Sequence, residues 1–381
     1  MDVTRLVGRF FKRKLPTGID RVCLAYVERY GDKSCALIRI GSTYHIVHKS
    51  ISQEIFTLLL FPENVKRREM IWLIVRSFFR INSCSTRGKI MFNIGHMGLD
   101  REEYPSVIKR MEVNPIFMVH DLIPIQYPEY GRLGEKERHI RRMNCVLDTA
   151  TAIVTNSQAT LDELRVYSNT QNKPIPHSIA ALLGTLVLRS EQGDDTPLKV
   201  PYFVILGTIE GRKNHLLLLN IWRNLVDTLG DATPKLVIIG QRGWECENVI
   251  DLLDRCDKLK NYVIEIPRCS DEMLSAYIHH ARALLFPSFV EGYGMPLAEA
   301  LSIGIPVIAS DLGVFREIAG EVPEYIDSLD GKRWKEMIIE YTGLNSSKRQ
   351  NQIERIKKLE LPTWEYHFHH VDNLIAFISH H

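Results

Sequence analysis

No stretch of eighteen uninterrupted apolar residues occurs in the 381-residue chain, so no bilayer-spanning helix of ordinary length is expected. Met1-Asp-Val-Thr-Arg-Leu forms no signal-peptide core. Close cysteine pairs are lacking too. The seven cysteines (23, 35, 84, 145, 246, 256 and 269) are odd in number and have none of the spacing of zinc or redox motifs, which points to a reducing cytoplasm and a fold without staples. Internal repeats and long low-complexity tracts are missing, which excludes solenoids and propellers. Net charge is only +2 but unevenly divided: residues 1–190 hold 28 Lys and Arg against 18 Asp and Glu, and the remainder 20 against 28. What is present, 45% hydrophobic and 25% charged residues, suffices for two ordinary domain cores.

Strand-like apolar runs alternate with helical patterns throughout, the mark of doubly wound α/β sheets. Before residue 190 the runs are Ala36 to Ile40, Lys89 to Asn93, Pro115 to His120 and Ala152 to Asn156. After it they are Tyr202 to Gly207, Lys235 to Gly240, Tyr262 to Ile266, Ala283 to Phe286 and Pro306 to Ala309. The polar, turn-rich stretch from Arg189 to Pro197 reads as a linker. Three parts are expected: a domain over 1–190, a second over 198–360, and a closing helix over 361–381. Two such sheets facing each other would bind ligand in the cleft beyond their strand C-termini.

The densest chemistry lies between Phe286 and Asp311, where Glu291 and Glu299 stand with seven residues between them. Gly292 and Gly294 allow a loop backbone to approach a ligand, and Pro296 suits the first turn of a helix. A helix N-terminus presents unpaired amides and a positive dipole end to an anion such as a diphosphate. Carboxylates beside phosphate repel it unless they turn to accept hydrogen bonds from hydroxyls, as proteins do with sugar and ribose rings. A dinucleotide-binding fingerprint is excluded, because Gly292-Tyr-Gly294 is followed by Met-Pro-Leu with no third glycine. Gly207-Thr-Ile-Glu-Gly-Arg-Lys-Asn214 places two cations after an earlier strand, where they can stabilise the charge of a departing nucleoside diphosphate.

These motifs resemble those of the family 4 retaining glycosyltransferases, which have the two-domain GT-B fold. The resemblance implies that Glu291 meets hydroxyls of the donor sugar, Glu299 the nucleotide ribose, the amides of Gly292, Tyr293, Gly294 and Met295 the diphosphate, and Arg212 and Lys213 the leaving group. Gly211 stands where the family has proline, which loosens the loop without removing a charge. Gly207, Gly240 and Ile266, each ending a strand, fall where the family holds the nucleotide, although Arg242 reads equally well as solvent-facing. Arg268 stands where the family often has glycine, leaving the base open. Leu15-Pro-Thr-Gly-Ile-Asp-Arg-Val22 resembles the family's loop near donor phosphate and acceptor, with Gly18 at its turn. Asn93 to Leu99 resembles a second cleft-facing loop, and His120, at the end of Phe117-Met-Val-His, corresponds to a histidine that contacts the donor sugar. A lone histidine on an apolar strand is more often a core residue, but Asp121 and Pro124 point to an exposed strand terminus. Thr155-Asn-Ser157 reads as a helix cap.

Pro362 to His370 resembles the family's C-terminal helix that crosses back onto the first domain, its histidines reading as a solvated face rather than a metal tract. The expected enzyme needs no cofactor and no metal. Its motifs are closest to bacterial mannosyltransferases of surface-polysaccharide assembly, which implies GDP-mannose as donor and a lipid-linked saccharide as acceptor. Arg5 to Lys14 and Lys66 to Arg80 combine cations with apolar bulk, suiting an anionic membrane surface and a peripheral place on the inner face of the cytoplasmic membrane. Core packing with snorkelling arginines is the other reading of the second segment. No nucleic-acid-binding motif accompanies the charge. Rival readings are a transferase using a UDP- or dTDP-linked sugar, a nucleotide-sugar epimerase or hydrolase, and a non-catalytic glycan-binding scaffold.

Overall fold

Apolar runs after the first turn of the chain set the sheets. The computed structural model describes residues 1–13, 16–62, 66–80, 85–185 and 196–380, so most of the expected linker lies outside the described residues. The chain divides into two units. One comprises Met1–Ile125, Lys136–Leu183 and Trp364–His381, and the other Gln126–Glu135 and Gly184–Thr363.

In the first unit the run expected at Ala36 to Ile40 is not part of the parallel sheet. It forms β1 (Leu37–Ile40), a hairpin with the antiparallel β2 (Thr43–Ile46), because Gly41 turns the chain back at a positive φ. Four parallel strands, β3 (Ile90–Asn93), β4 (Asn114–Val119), β5 (Ala152–Thr155) and β6 (His177–Ala180), lie in that order. Val119 and Phe117 of β4 are fully buried with Tyr104, Met143 and Leu164, the layer of helices over a two-sided sheet. Ser157 caps the helix Gln158–Thr170 by accepting from the Thr160 amide at 3.1 Å, as expected.

The closing helix, Trp364–His380, belongs to this unit. Its histidines are not all solvated: His367 is buried, 3.0 Å from the Tyr26 hydroxyl and donating from Nδ1 to the Ala181 carbonyl at 3.1 Å. Two such bonds offset the desolvation of an imidazole that burial holds down to about 4 and therefore neutral.

Six parallel strands make the second sheet: β7 (Tyr202–Leu206), β8 (Lys235–Ile239), β9 (Val263–Ile266), β10 (Leu284–Phe286), β11 (Val307–Ser310) and β12 (Glu324–Ile326). Their spatial order is β12-β11-β10-β7-β8-β9, so the winding reverses between β7 and β10. That reversal opens a crevice at the strand C-termini, because the connections from β7 and β10 leave toward opposite sides. Trp222, Trp334 and Tyr341 fill the core beneath.

Gly207 and Gly240 end β7 and β8, and their amides donate to Ile239 and Ile266 carbonyls at 2.9 and 3.0 Å. A Cβ on Gly240 would lie 1.9 Å from the Gly207 carbonyl oxygen. The strand ends are thus drawn together by an absent side chain. Gly240→Ala is expected to destabilise the protein by about 1–3 kcal/mol through overpacking, measured as the midpoint of urea unfolding. An unchanged midpoint would refute this account of the glycine.

Candidate functional site

Two loops leave the crevice, Gly207 to Asn214 after β7 and Pro287 to Gly294 after β10, and their side chains meet. Glu291 is the hub. Its Oε2 lies 2.6 Å from Arg212 Nη1 and its Oε1 2.5 Å from Lys213 Nζ, while the buried Ser288 hydroxyl donates to Oε1 at 2.8 Å. Arg212 Nε in turn pairs with Glu210 Oε1 at 2.6 Å, and the Phe289 amide donates to the Arg212 carbonyl at 2.8 Å. Lys213 Nζ also stands 4.7 Å over the Phe286 ring.

The electrostatics follow from burial. Side-chain exposure is only 7% for Glu291 and 9% for Lys213, so each charge depends on the other. Burial pushes the Glu291 carboxyl up, but Arg212 and Lys213 outweigh it and hold its pKa down to about 2. Glu210, also buried, is raised by desolvation against the pull of Arg212 and Lys213. Two carboxylates and two cations therefore form one nearly neutral cluster.

The turn into the helix Met295–Ser302 is carried by Gly294, which precedes it at φ +123°. A Cβ there would strike Phe315 at 2.7 Å, so the turn requires glycine. Leu297 and Ala298 amides both donate back to the Gly294 carbonyl, and Pro296 has none, which takes these three positions out of any anion contact at this end of the helix. Gly292 is half-buried, Tyr293 is buried, and Glu299 is 2% exposed in the helix.

Several expected residues are placed differently. His120 is not at an exposed strand terminus: it is buried in the first unit, donating from Nε2 to the Ile94 carbonyl at 2.8 Å, with its own carbonyl held by Asn156. The loop after Asn93 likewise turns inward, His96 donating to Met118 and packing 5.2 Å from His120. Gly18 makes no special turn; it is the exposed first residue of the helix Gly18–Tyr30, which Thr17 and Asp20 cap reciprocally. The Ile266 carbonyl and the amides of Gly207 and Gly240 are committed to the sheet, so these positions offer a ligand close backbone rather than free hydrogen-bonding groups. Arg242 is the solvent-side ion pair, bound to Asp254 and Glu265 at 2.7 and 2.8 Å. Ser270 caps the next helix through the Met273 amide.

Three contributors went unread in the sequence. Glu210 and Ser288 sit inside the motifs, but their pairing needs the two loops side by side. The third is Gln126–Glu135, ten residues from the first half of the chain that belong to the second unit. Among the described residues, no group of three or more His, Cys, Asp or Glu is arranged to hold a metal ion.

Parallel sheets in both units and a charged cluster at a switch point define a GT-B-type α/β protein. Anabaena HepE in complex with UDP and glucose has the same fold, with a TM-score of 0.68 at 12% identity over 95% of this chain and 97% of that one. Residues 189–358 match the family described as Glycosyl transferases group 1. Among curated relatives, the serotype-specific mannosyltransferase WbdA of Escherichia coli is 26% identical over 268 residues, 65% of this chain and 32% of WbdA. O-antigen chain mannosyltransferase B of Escherichia coli is 28% identical over 218 residues, 55% of this chain and 56% of that protein. The matched part thus spans about a third of one relative's length and about half of the other's.

A depressed carboxylate pKa stabilises the fold at pH values above its unfolded value, near 4.5, and that contribution fades as pH falls toward 2. Glu291→Gln should therefore cost about 3 kcal/mol at pH 7. The gap to the wild type should narrow between pH 5 and pH 3 in equilibrium denaturant titrations. A gap independent of pH would show that Glu291 is not the ionised hub.

Proposed function

We propose that the protein is a metal-independent, retaining glycosyltransferase that moves mannose from GDP-mannose onto a lipid-linked saccharide in bacterial O-antigen or exopolysaccharide assembly. The observation that carries this reading is the Glu291–Arg212–Lys213 cluster at the crevice, beside the glycine turn that opens Met295–Ser302. In the proposed reaction the donor diphosphate takes Arg212 and Lys213 from Glu291, and the freed carboxylate accepts hydrogen bonds from sugar hydroxyls. Negative charge then grows on the bridging oxygen as the sugar leaves, where fixed cations stabilise it more than the ground state. Glu291, carrying charge near the sugar, stabilises oxocarbenium-like positive charge. Glu299 is assigned to the ribose. Mannose is favoured over other hexoses by the names of the relatives. A UDP- or dTDP-linked donor, an epimerase or hydrolase, and a glycan-binding scaffold remain the competing readings.

The two basic-apolar segments part company in the structure, and only one suits a membrane. Leu6 and Val7 of the first are buried, and Arg5 and Arg9 are held by Asp20 at 2.7 and 2.6 Å. The helix Arg67–Phe78 instead leaves Ile71, Trp72, Val75 and Phe78 about half exposed, and Phe79 follows at 83%. Lys66, Arg67, Arg68, Arg76 and Arg80 surround them. No described helix is long and apolar enough to cross a membrane. A half-exposed aromatic-basic face of this kind suits the interfacial region of an anionic leaflet, where a lipid-linked acceptor resides.

Incubation with GDP-, UDP- and dTDP-sugars, in the presence of EDTA, tests the reading by release of nucleoside diphosphate. GDP release from GDP-mannose is expected, undiminished by the chelator; strong inhibition reversed by a divalent ion would overturn metal independence. Glu291→Gln should slow single-turnover transfer without weakening the binding of free GDP. Glu299→Gln should lose roughly ten- to a hundredfold in GDP affinity, and the opposite pattern exchanges the two roles.

Sedimentation with vesicles checks the membrane face. Binding to anionic vesicles at low salt should fall as salt rises and should weaken in the double variant Trp72→Ala, Phe79→Ala. Equal binding to neutral vesicles would refute the electrostatic part.

A further inference from the structure

Gln126–Glu135 leaves the first unit after Ile125 and packs within the second, and its contacts fall on the two loops that make the cluster. The Tyr130 ring lies parallel to Phe289, interplanar angle 1° and centroids 5.7 Å apart. Phe289 stands two residues before Glu291 and its amide holds the Arg212 carbonyl. On the other loop, the Tyr130 Cδ1 sits 3.4 Å from where a Cβ on Gly211 would be, next to Arg212. The Tyr130 carbonyl accepts from the Trp244 indole at 2.9 Å, and the Arg132 guanidinium stands 4.6 Å over the Trp244 ring. The Tyr130 ring thus lies against both loops, and Trp244, in the bend after β8, fixes its backbone.

We infer that Tyr130 is a positioning residue for the Arg212–Glu291 pair, so that Gln126–Glu135 is a working part of the donor site rather than a connection. The inference rests on the proposed donor site. Glycine at 211 supplies no side chain of its own to support Arg212. Ring area, not the hydroxyl, makes these contacts, which separates Tyr130→Phe from Tyr130→Ala. The positioning acts through Arg212 and not on the ligand.

The test measures GDP and UDP affinity by calorimetry, and kcat and KM for donor turnover, in the full-length chain. Tyr130→Ala should weaken binding of the preferred nucleotide about tenfold and lower kcat similarly, whereas Tyr130→Phe should match the wild type. Trp244→Phe, which keeps a ring but loses the hydrogen bond, should give a smaller loss in the same direction. In an Arg212→Ala background the Tyr130→Ala effect should vanish, which a generally loosened fold would not produce, since its losses would add. A wild type that binds and turns over, with Tyr130→Ala unchanged or with additive losses, overturns the inference alone. A wild type that binds neither nucleotide overturns the inference together with the donor site it rests on.

Discussion

A buried carboxylate held between two cations is the constraint on which the second unit's crevice depends. Glu291 lies on a loop after one strand, and Arg212 and Lys213 on a loop after another some eighty residues earlier in sequence. They meet because β7 and β10 are neighbours where the sheet reverses. Ion pairs shielded from water this far need every remaining polar site satisfied, and Ser288, Glu210 and the Val290 carbonyl complete the set. Removing one partner leaves a buried charge behind, so the two loops are coupled in their folding.

Backbone closeness does for the strand ends what charge does for the loops. Gly240 brings the C-terminus of β8 to a separation from the Gly207 carbonyl that no Cβ at 240 permits, and Gly294 turns the chain into a helix against Phe315. The amides of Gly207 and Gly240 are engaged in the sheet, so the proposed donor would meet the side chains of the two loops and the helix N-terminus at Met295 instead.

How much of this was legible follows from what each signal encodes. The strands after Tyr202 and the cation and glutamate motifs were read directly, because apolar runs and strand-end loops are local patterns. The short edge strands β6 and β12 were not, since their half-exposed residues carry little periodicity. That the cations would be held by Glu291 was illegible, because the pairing depends on which strands adjoin. His120 misled for a related reason: Asp121 and Pro124 after it suggested solvent, but the loop from Asn93 folds over it and the Ile94 carbonyl accepts its hydrogen bond. His367 looked solvated on its helix until Tyr26 and Ala181, far away in sequence, closed over it. The strap at Gln126–Glu135 carried no motif, and its unit shows in the packing of Tyr130 on Phe289 and the Trp244 bond to its backbone.

The near-neutral cluster also bears on how donor and product would be told apart in the proposed reaction. A diphosphate entering the crevice competes with Glu291 for Arg212 and Lys213, and a carboxylate whose pKa is held near 2 does not yield by picking up a proton at neutral pH. It yields only where other donors replace its bonds, because a buried unpaired carboxylate is costly. Hydroxyls of a bound sugar supply such donors and a bare nucleoside diphosphate does not. The intact donor would thus be favoured over the spent one by the same charge pair that stabilises the leaving group, so discrimination and catalysis would share one set of atoms.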